Sequence, residues 1–208
     1  MDVAQDSTTR RRLLRLLAGL PLVCSFGAGR ALAEEGPTSM PAIAAIKTRR
    51  SVRRFTAEAV SDELLHTILA CGMQAPSACN EQPWQFVVLR DRALLAKVGG
   101  INPYAAYAKN APVAILVAGD TRLEKCAGYW PEDCSACAQN MLLAAHALGL
   151  GAVWTGIYPL SERIAGFQKL CGLPDTVIPL ALLVLGYPAE TPAPQDRFRP
   201  DRVHRDRW

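Results

Sequence analysis

The chain of 208 residues is half hydrophobic and one-fifth charged, with seven cysteines, fifteen glycines, fifteen prolines and a formal net charge of +4. One domain of ordinary globular composition is expected at this length, burying roughly 70% of the unfolded surface on folding. These figures exclude a disordered chain, a collagen-like fibre, a small disulfide scaffold and a polytopic membrane protein.

In chain order, Arg10-Arg11-Arg12-Leu13-Leu14-Arg15 ahead of an apolar run resembles a bacterial twin-arginine export signal. The run itself is interrupted by Gly19, Pro21 and Gly27 and is too short to span a bilayer comfortably. Ala31-Leu32-Ala33 offers the small residues that a signal peptidase requires, so cleavage after Ala33 and a periplasmic location are expected. An uncleaved amino-terminal anchor is the alternative. The division is therefore a signal over 1–33, a tether over 34–41 and a domain over 42–208. Five arginines against two aspartates in residues 1–33 account for three of the four net positive charges. What remains is close to neutral and gives no nucleic-acid footprint.

Within the domain, helix and strand periodicities alternate. Helices are predicted over 42–49, over 62–72 with Ser61 as N-cap, and over 91–98 and 104–110; strands fall at 85–89 and 113–118. The longest helix, about 132–148, is apolar around most of its circumference, which marks it as a central helix buried on more than one side. A strand at 152–156, an amphipathic helix at 161–171, an apolar strand at 178–186 and a Pro/Arg/Asp-rich tail complete the chain. Four strands among helices indicate a three-layer α/β or α+β domain. Gly149-Leu150-Gly151 follows a helix, whereas a dinucleotide fingerprint must open one, and no Walker-type loop is present.

Six cysteines follow the signal, and their connectivity cannot be read from sequence. Cys134 and Cys137 share one helical face with Ala138, Met141 and Ala145, so small side chains in a packed helix are favoured over a redox or metal pair. No metal site is expected. His66, His146 and His204 read as structural.

Two segments carry chemistry. Lys47 to Phe55 places five cations and Ser51 in nine residues just after a helix, a donor set suited to phosphate or polyol oxygens. Gln74 to Phe86 is a polar loop whose Ser77, Asn80 and Gln82 can satisfy the edge of a heteroaromatic ring, stiffened by Pro83 and Trp84. Taken singly, a solvated basic face or helix cap is favoured for the first, and plain turn chemistry accounts for the second.

Together, Arg49-Arg50-Ser51-Val52-Arg53-Arg54-Phe55 and Ala75-Pro76-Ser77-Ala78-Cys79-Asn80-Glu81-Gln82-Pro83-Trp84-Gln85-Phe86 resemble the two motifs of the flavin-dependent nitroreductase family. Gln139 to Gly151, Trp154-Thr155-Gly156, Gly186-Tyr187-Pro188 and Arg197-Phe198 extend the resemblance over about residues 42–208. The resemblance implies an α+β fold of three α/β/α layers, with a mixed, mainly antiparallel sheet flanked by helices, and a domain-swapped homodimer binding two FMN at its interface. It implies that Arg49 and Arg197, with Arg50, hold the FMN phosphate, that Ser51 contacts ribityl or phosphate oxygens, and that Arg53 faces the N1/C2=O side of the ring. Pro76, Ser77, Asn80 and Gln82 belong to the same cofactor set, with Pro76, Ser77 and Asn80 coming from the partner chain, and Trp154, Thr155 and Gly156 lie along the ring.

The implied reaction is ping-pong electron transfer from NAD(P)H or another donor through FMN to a nitroaromatic, quinone or similar small acceptor, with no side chain as nucleophile or obligatory acid. Gln195 departs from the pattern, since relatives often carry Lys there. A non-catalytic flavin-binding or thiol redox-sensing protein is the alternative.

Overall fold

The computed structural model describes residues 40–208. The expected signal over 1–33, and all of the tether except its last two residues, lie outside the described residues.

Strand β2 (Val113–Asp120) is buried at every position, and β4 (Val177–Gly186) at all but Ile178. Both are apolar runs, broken only by Asp120 at the end of β2, because both are central: the sheet order is β1 (Trp84–Leu89), β2, β4, β3 (Gly151–Gly156), and every pairing is antiparallel. Alternate side chains go to opposite faces. Ile115, Val117, Leu183 and Leu185 join one core with helices α2 (Asp62–Met73) and α4 (Trp130–Ala147). Leu116, Leu182, Val184 and Val153 join a second core with α3 (Arg92–Ile101) and α5 (Ser161–Cys171). The result is the expected three-layer α+β domain, with a sheet covered on both faces.

Helix α4 buries Cys134, Cys137, Ala138, Met141, Leu142 and Ala145, as a central helix should. Its partner α2 comes close through Gly72, where a Cβ would lie 2.6 Å from Met141 Cγ. Ser61 caps α2 by accepting Leu64 N–H, and Asp91 caps α3 in the same way. Two elements differ from the sequence reading. Residues 103–110 form a 3-10 helix, started by Pro103 and by Asn102, whose side chain accepts Tyr104 N–H. Helix α4 begins at Trp130, two residues early, because Pro131 sits where no N–H is needed.

The fold also places the first motif. After α1 (Ala42–Thr48) the chain turns along the free edge of β3: Ser51 bridges Ala152 in parallel and Val52 N–H donates to Ala152 O at 3.1 Å. This bridge is the parallel component of an otherwise antiparallel sheet. Gly151 is required there, since a Cβ would stand 2.7 Å from Val52 Cγ1. Phe55 bridges Pro188, and Ala189 N–H donates to Arg54 O, so the segment is held from both sides.

Candidate functional site

The stretch Arg49 to Arg53 lines two cavities. The first, about 830 Å³, is formed by the end of α1, Gln139 of α4 and the tail segment 194–198, and includes Arg49, Arg50 and Arg197. Arg49 is half-buried, and its guanidinium is held below its usual value by that burial and by the nearby charges of Arg197 and Arg50. None of the three is in an ion pair among the described residues, and Asp196, which also lines the cavity, uses its carboxylate on Phe198 N–H. Clustered cations without a counter-charge are relieved by binding an anion.

The three arginines are not equivalent. Arg50 donates to four main-chain carbonyls, those of Lys47, Arg49, Ala193 and Gln195, at 2.7–3.2 Å. It therefore ties the tail to α1 and positions Arg197, and its donors are already engaged. Arg197 donates from Nε and Nη2 to Gln195 Oε1 at 3.2 and 2.9 Å. Gln195 thus engages the Arg197 fork as a neutral acceptor and adds no charge.

The second cavity, about 380 Å³, is lined by Arg53, Trp154, Thr155 and Gly156 together with Asn102, Tyr104, Tyr107 and Arg163. Glu190 frees Arg53 for this position: its carboxylate accepts Arg53 N–H at 2.7 Å, Arg54 N–H at 3.2 Å and Arg54 Nε at 2.9 Å. Those donors hold the Glu190 carboxyl below its usual range. The Arg53 guanidinium itself has no partner among the described residues.

On the opposite wall, Gly156 O accepts from Asn102 Nδ2 at 3.2 Å and Arg163 Nη1 at 3.0 Å, and Thr155 Oγ1 lies 2.7 Å from Tyr107 OH. Ala152 O and Gly156 O both point away from β4. The alternation of an antiparallel edge strand therefore turns the N–H groups of Trp154 and Gly156 to the same free side.

The second motif lines neither cavity. Its loop is instead satisfied internally: Ser77 Oγ accepts Gln82 N–H and Asn80 Oδ1 accepts Gln82 Nε2, both at 3.0 Å. Cys79, Asn80 and Gln82 all have positive φ, near 50°. Such backbone is strained for residues with a Cβ, by about 1 kcal/mol each. A disulfide from Cys79 to Cys126 and a buried carboxyl pair hold it. Glu81 Oε2 accepts the N–H groups of Lys125 and Cys126 at 2.7 and 3.0 Å, and Asp133 Oδ1 accepts Ala78 N–H at 2.9 Å. The two remaining oxygens, Glu81 Oε1 and Asp133 Oδ2, are buried with no hydrogen-bond partner among the described residues. A single proton shared between the two neighbouring carboxyls would satisfy both. Burial and the Glu81 charge push Asp133 up, while the Cys126 and Lys125 N–H groups pull Glu81 down, which puts the proton on Asp133.

The sequence model of the Nitroreductase family matches residues 46–107 and 102–187. A protein of Methanothermobacter thermautotrophicus, provisionally named NADH dehydrogenase/NAD(P)H nitroreductase, is 50% identical over 171 residues, which is 82% of this chain and 90% of that protein. The chain belongs to the nitroreductase family. A solved structure of an FMN-dependent nitroreductase from Clostridium difficile superimposes with a TM-score of 0.74 at 26% identity, covering 80% of this chain and 99% of that one. A provisionally named nitroreductase of Desulfovibrio desulfuricans, solved in complex with FMN, is 35% identical with a TM-score of 0.71, covering 82% and 99%.

Seen as a nitroreductase, the chain keeps both motifs inside the matched region, while Arg197 and the tail lie beyond residue 187. Glu190, Asn102, Tyr107 and Arg163 escaped the sequence reading. Only Asn102 had a local signal, an Asn-Pro pair that opens a helical turn. The others are placed by tertiary contacts. The thiols anticipated at Cys134 and Cys137 are fully buried and free, and burial pushes Cys137 up to about 12 and Cys134 higher still. Neither is a reactive thiolate at neutral pH, which removes the basis for a sensing role at that pair. His146 Nε2 meets Thr48 Oγ1 at 2.8 Å, a contact between α4 and the end of α1. Among the described residues no cluster of three metal-ligating side chains occurs, and no helix is long and apolar enough to cross a membrane.

Proposed function

We propose that this nitroreductase-family chain is an FMN-dependent oxidoreductase that takes electrons from NAD(P)H or another donor and passes them to a nitroaromatic, quinone or similar small acceptor. One observation carries the reading: a single extended stretch lines an anion groove through Arg49 and a ring-sized cavity through Arg53. Four residue steps of extended chain span about 13 Å, which suits a molecule with a phosphate at one end and a fused ring at the other. The unpaired cations fit a phosphate, and the cavity walls of Trp154 and Tyr107 with the free edge of β3 fit a planar ring bearing acceptor atoms.

FMN, when bound, supplies the two-electron chemistry that accepts hydride and returns electrons. The chain supplies binding and electrostatics. Arg49 and Arg197 hold the phosphate, with Arg50 positioning Arg197, and Ser51 contacts the ribityl oxygens. Arg53 places a fixed positive charge on the side of the ring where negative charge develops, favouring uptake of electrons. Asn102 and Arg163 fix the Gly156 peptide, so that Trp154 and Gly156 present their N–H groups to the ring. Tyr104, exposed at the mouth under the Arg163 guanidinium at 5.7 Å, leaves the cavity open to planar donors and acceptors in turn.

Pro76, Ser77, Asn80 and Gln82 line neither cavity of their own chain, which supports a homodimer in which each loop completes the partner's site. The NADPH-flavin oxidoreductase of Vibrio harveyi, 32% identical, and the FMN reductase of Bacillus subtilis, 27% identical, support the donor and cofactor classes. We place the protein in the periplasm by its twin-arginine segment; the Cys79–Cys126 bridge suits that oxidising compartment. The test is anaerobic addition of NADH, NADPH or an artificial donor to the purified protein, followed by menadione or a nitroaromatic. Reduction and reoxidation of bound flavin are expected; a folded protein that takes up no flavin on reconstitution would overturn the reading.

A further inference from the structure

We propose that the Cys79–Cys126 disulfide is a thiol-controlled latch on the loop that completes the flavin site: closed, it holds residues 77–82 in their binding conformation, and a dithiol reductant opens it and weakens FMN binding. The inference rests on the FMN reading above and concerns its regulation.

The loop does not hold its shape by local preference. Cys79 and Gln82 occupy left-handed backbone that their side chains disfavour, with Asn80 there at lower cost, and the segment relaxes unless it is fixed from outside. Four attachments fix it: Asp133 to Ala78 N–H, Glu81 to Lys125 and Cys126 N–H, Lys125 Nζ to Asn80 O at 3.5 Å, and the disulfide. The first lies ahead of the strained residues and the second amid them. Of these only the disulfide is covalent, and only it is opened by a thiol reductant. Its partner segment is itself held to the loop through Glu81, so opening the bridge loosens both sides of one contact.

Among the described residues the bridge holds the most exposed cysteine of a single chain, the free Cys71 and Cys171 being half-exposed. Cys79 is exposed and Cys126 half-exposed, whereas Cys134 and Cys137 are fully buried. Cys79 is the more exposed of the two sulfurs, so a reductant's thiolate attacks there, with Cys126 as leaving group. Attack breaks the S–S bond and forms a mixed disulfide at Cys79, and Cys126 takes a proton. The reductant's second thiol then displaces Cys79, which takes the second proton. Two electrons and two protons pass to the protein, and the dithiol leaves as its own disulfide.

If the reduced loop holds its binding conformation about one-tenth of the time, FMN affinity falls about tenfold. The experiment titrates the full-length holoprotein with dithiothreitol, counts thiols, and measures FMN dissociation together with amide hydrogen exchange over residues 78–82. Exposure of two thiols, faster exchange in the loop and about tenfold weaker FMN are expected, with recovery on reoxidation. A Cys79→Ser/Cys126→Ser double variant that melts cooperatively should show the weakened affinity and no response to dithiol. Unchanged FMN affinity after complete reduction overturns the latch, as does a bridge that resists reduction in the native dimer. Failure of the oxidised protein to bind FMN at all would overturn the flavin reading and the latch's role with it, and exchange alone would then report whether the loop is released.

Discussion

The two halves of the site are built on opposite principles. The Arg49–Arg53 half keeps its charges unpaired: Arg49, Arg53 and Arg197 face cavities without a carboxylate partner, while Arg50 and Arg54 absorb the local carbonyls and Glu190. The 77–82 half turns its polar groups inward: the Ser77 hydroxyl and Asn80 amide bond Gln82, and each buried carboxyl holds main-chain N–H groups through one oxygen, leaving Glu81 Oε1 and Asp133 Oδ2 to a shared proton. Unsatisfied cations mark where a ligand must arrive, and a satisfied, strained loop marks a surface held ready for one. On the proposed reading the first half binds and the second shapes.

The comparison is broken most severely by removing the unpaired charge. Arg49→Ala with Arg197→Ala should lower FMN affinity by at least about 100-fold, equivalent to two charge-assisted hydrogen bonds, with the melting temperature little changed. A fluorescence titration showing unaltered affinity would refute the phosphate assignment. In the other half the loss should appear as stability: Asp133→Ala leaves Ala78 N–H and the Glu81 carboxylate without their partner and should cost about 2–3 kcal/mol in urea denaturation.

Asp133→Asn should cost far less, because an amide can accept from Ala78 and donate to Glu81. It should also change the pH dependence. Asp133 is raised in the fold, so its contribution is fully present below the ordinary carboxylate value and lost as pH rises through the folded one. Glu81 is lowered, so its contribution is present above the ordinary value and lost as pH falls through the folded one. The Asn variant should therefore lose the high-pH decline and keep the acid one. A smaller effect is expected of Tyr107→Phe, which strands the buried Thr155 hydroxyl and should reduce kcat/KM about fivefold without releasing FMN. Gln195→Lys should sharpen the anion groove and tighten FMN only about two- to fivefold, because the added charge is exposed to solvent.

Element order and the three-layer class were legible in the chain because burial imposes period: β2 and β4 are near-continuous apolar runs, and α2 and α5 carry amphipathic stripes. The two motifs were legible because their residue types are chemically unusual at that spacing. The supports were not. Glu190 lies 137 residues from the Arg53 N–H that it holds, and Asn102 lies 54 from Gly156. Nothing in their local sequence announces these contacts. The Cys79–Cys126 pairing was equally hidden, since six cysteines leave the partner open and only the approach of the 124–129 segment to the loop selects it. Arg50 illustrates the converse: its motif position suggested a phosphate ligand, yet four carbonyls engage it.

The central claim is a site made from two chains, and complementation tests it most directly. One protein would carry Arg49→Ala/Arg197→Ala and the other Ser77→Ala/Asn80→Ala, each deficient in FMN binding alone. Refolded together in equal amounts, half the dimers pair one of each and hold one intact site in two, so about a quarter of all sites should recover FMN at wild-type affinity. A mixture that binds no more FMN than its separate components would contradict the shared site.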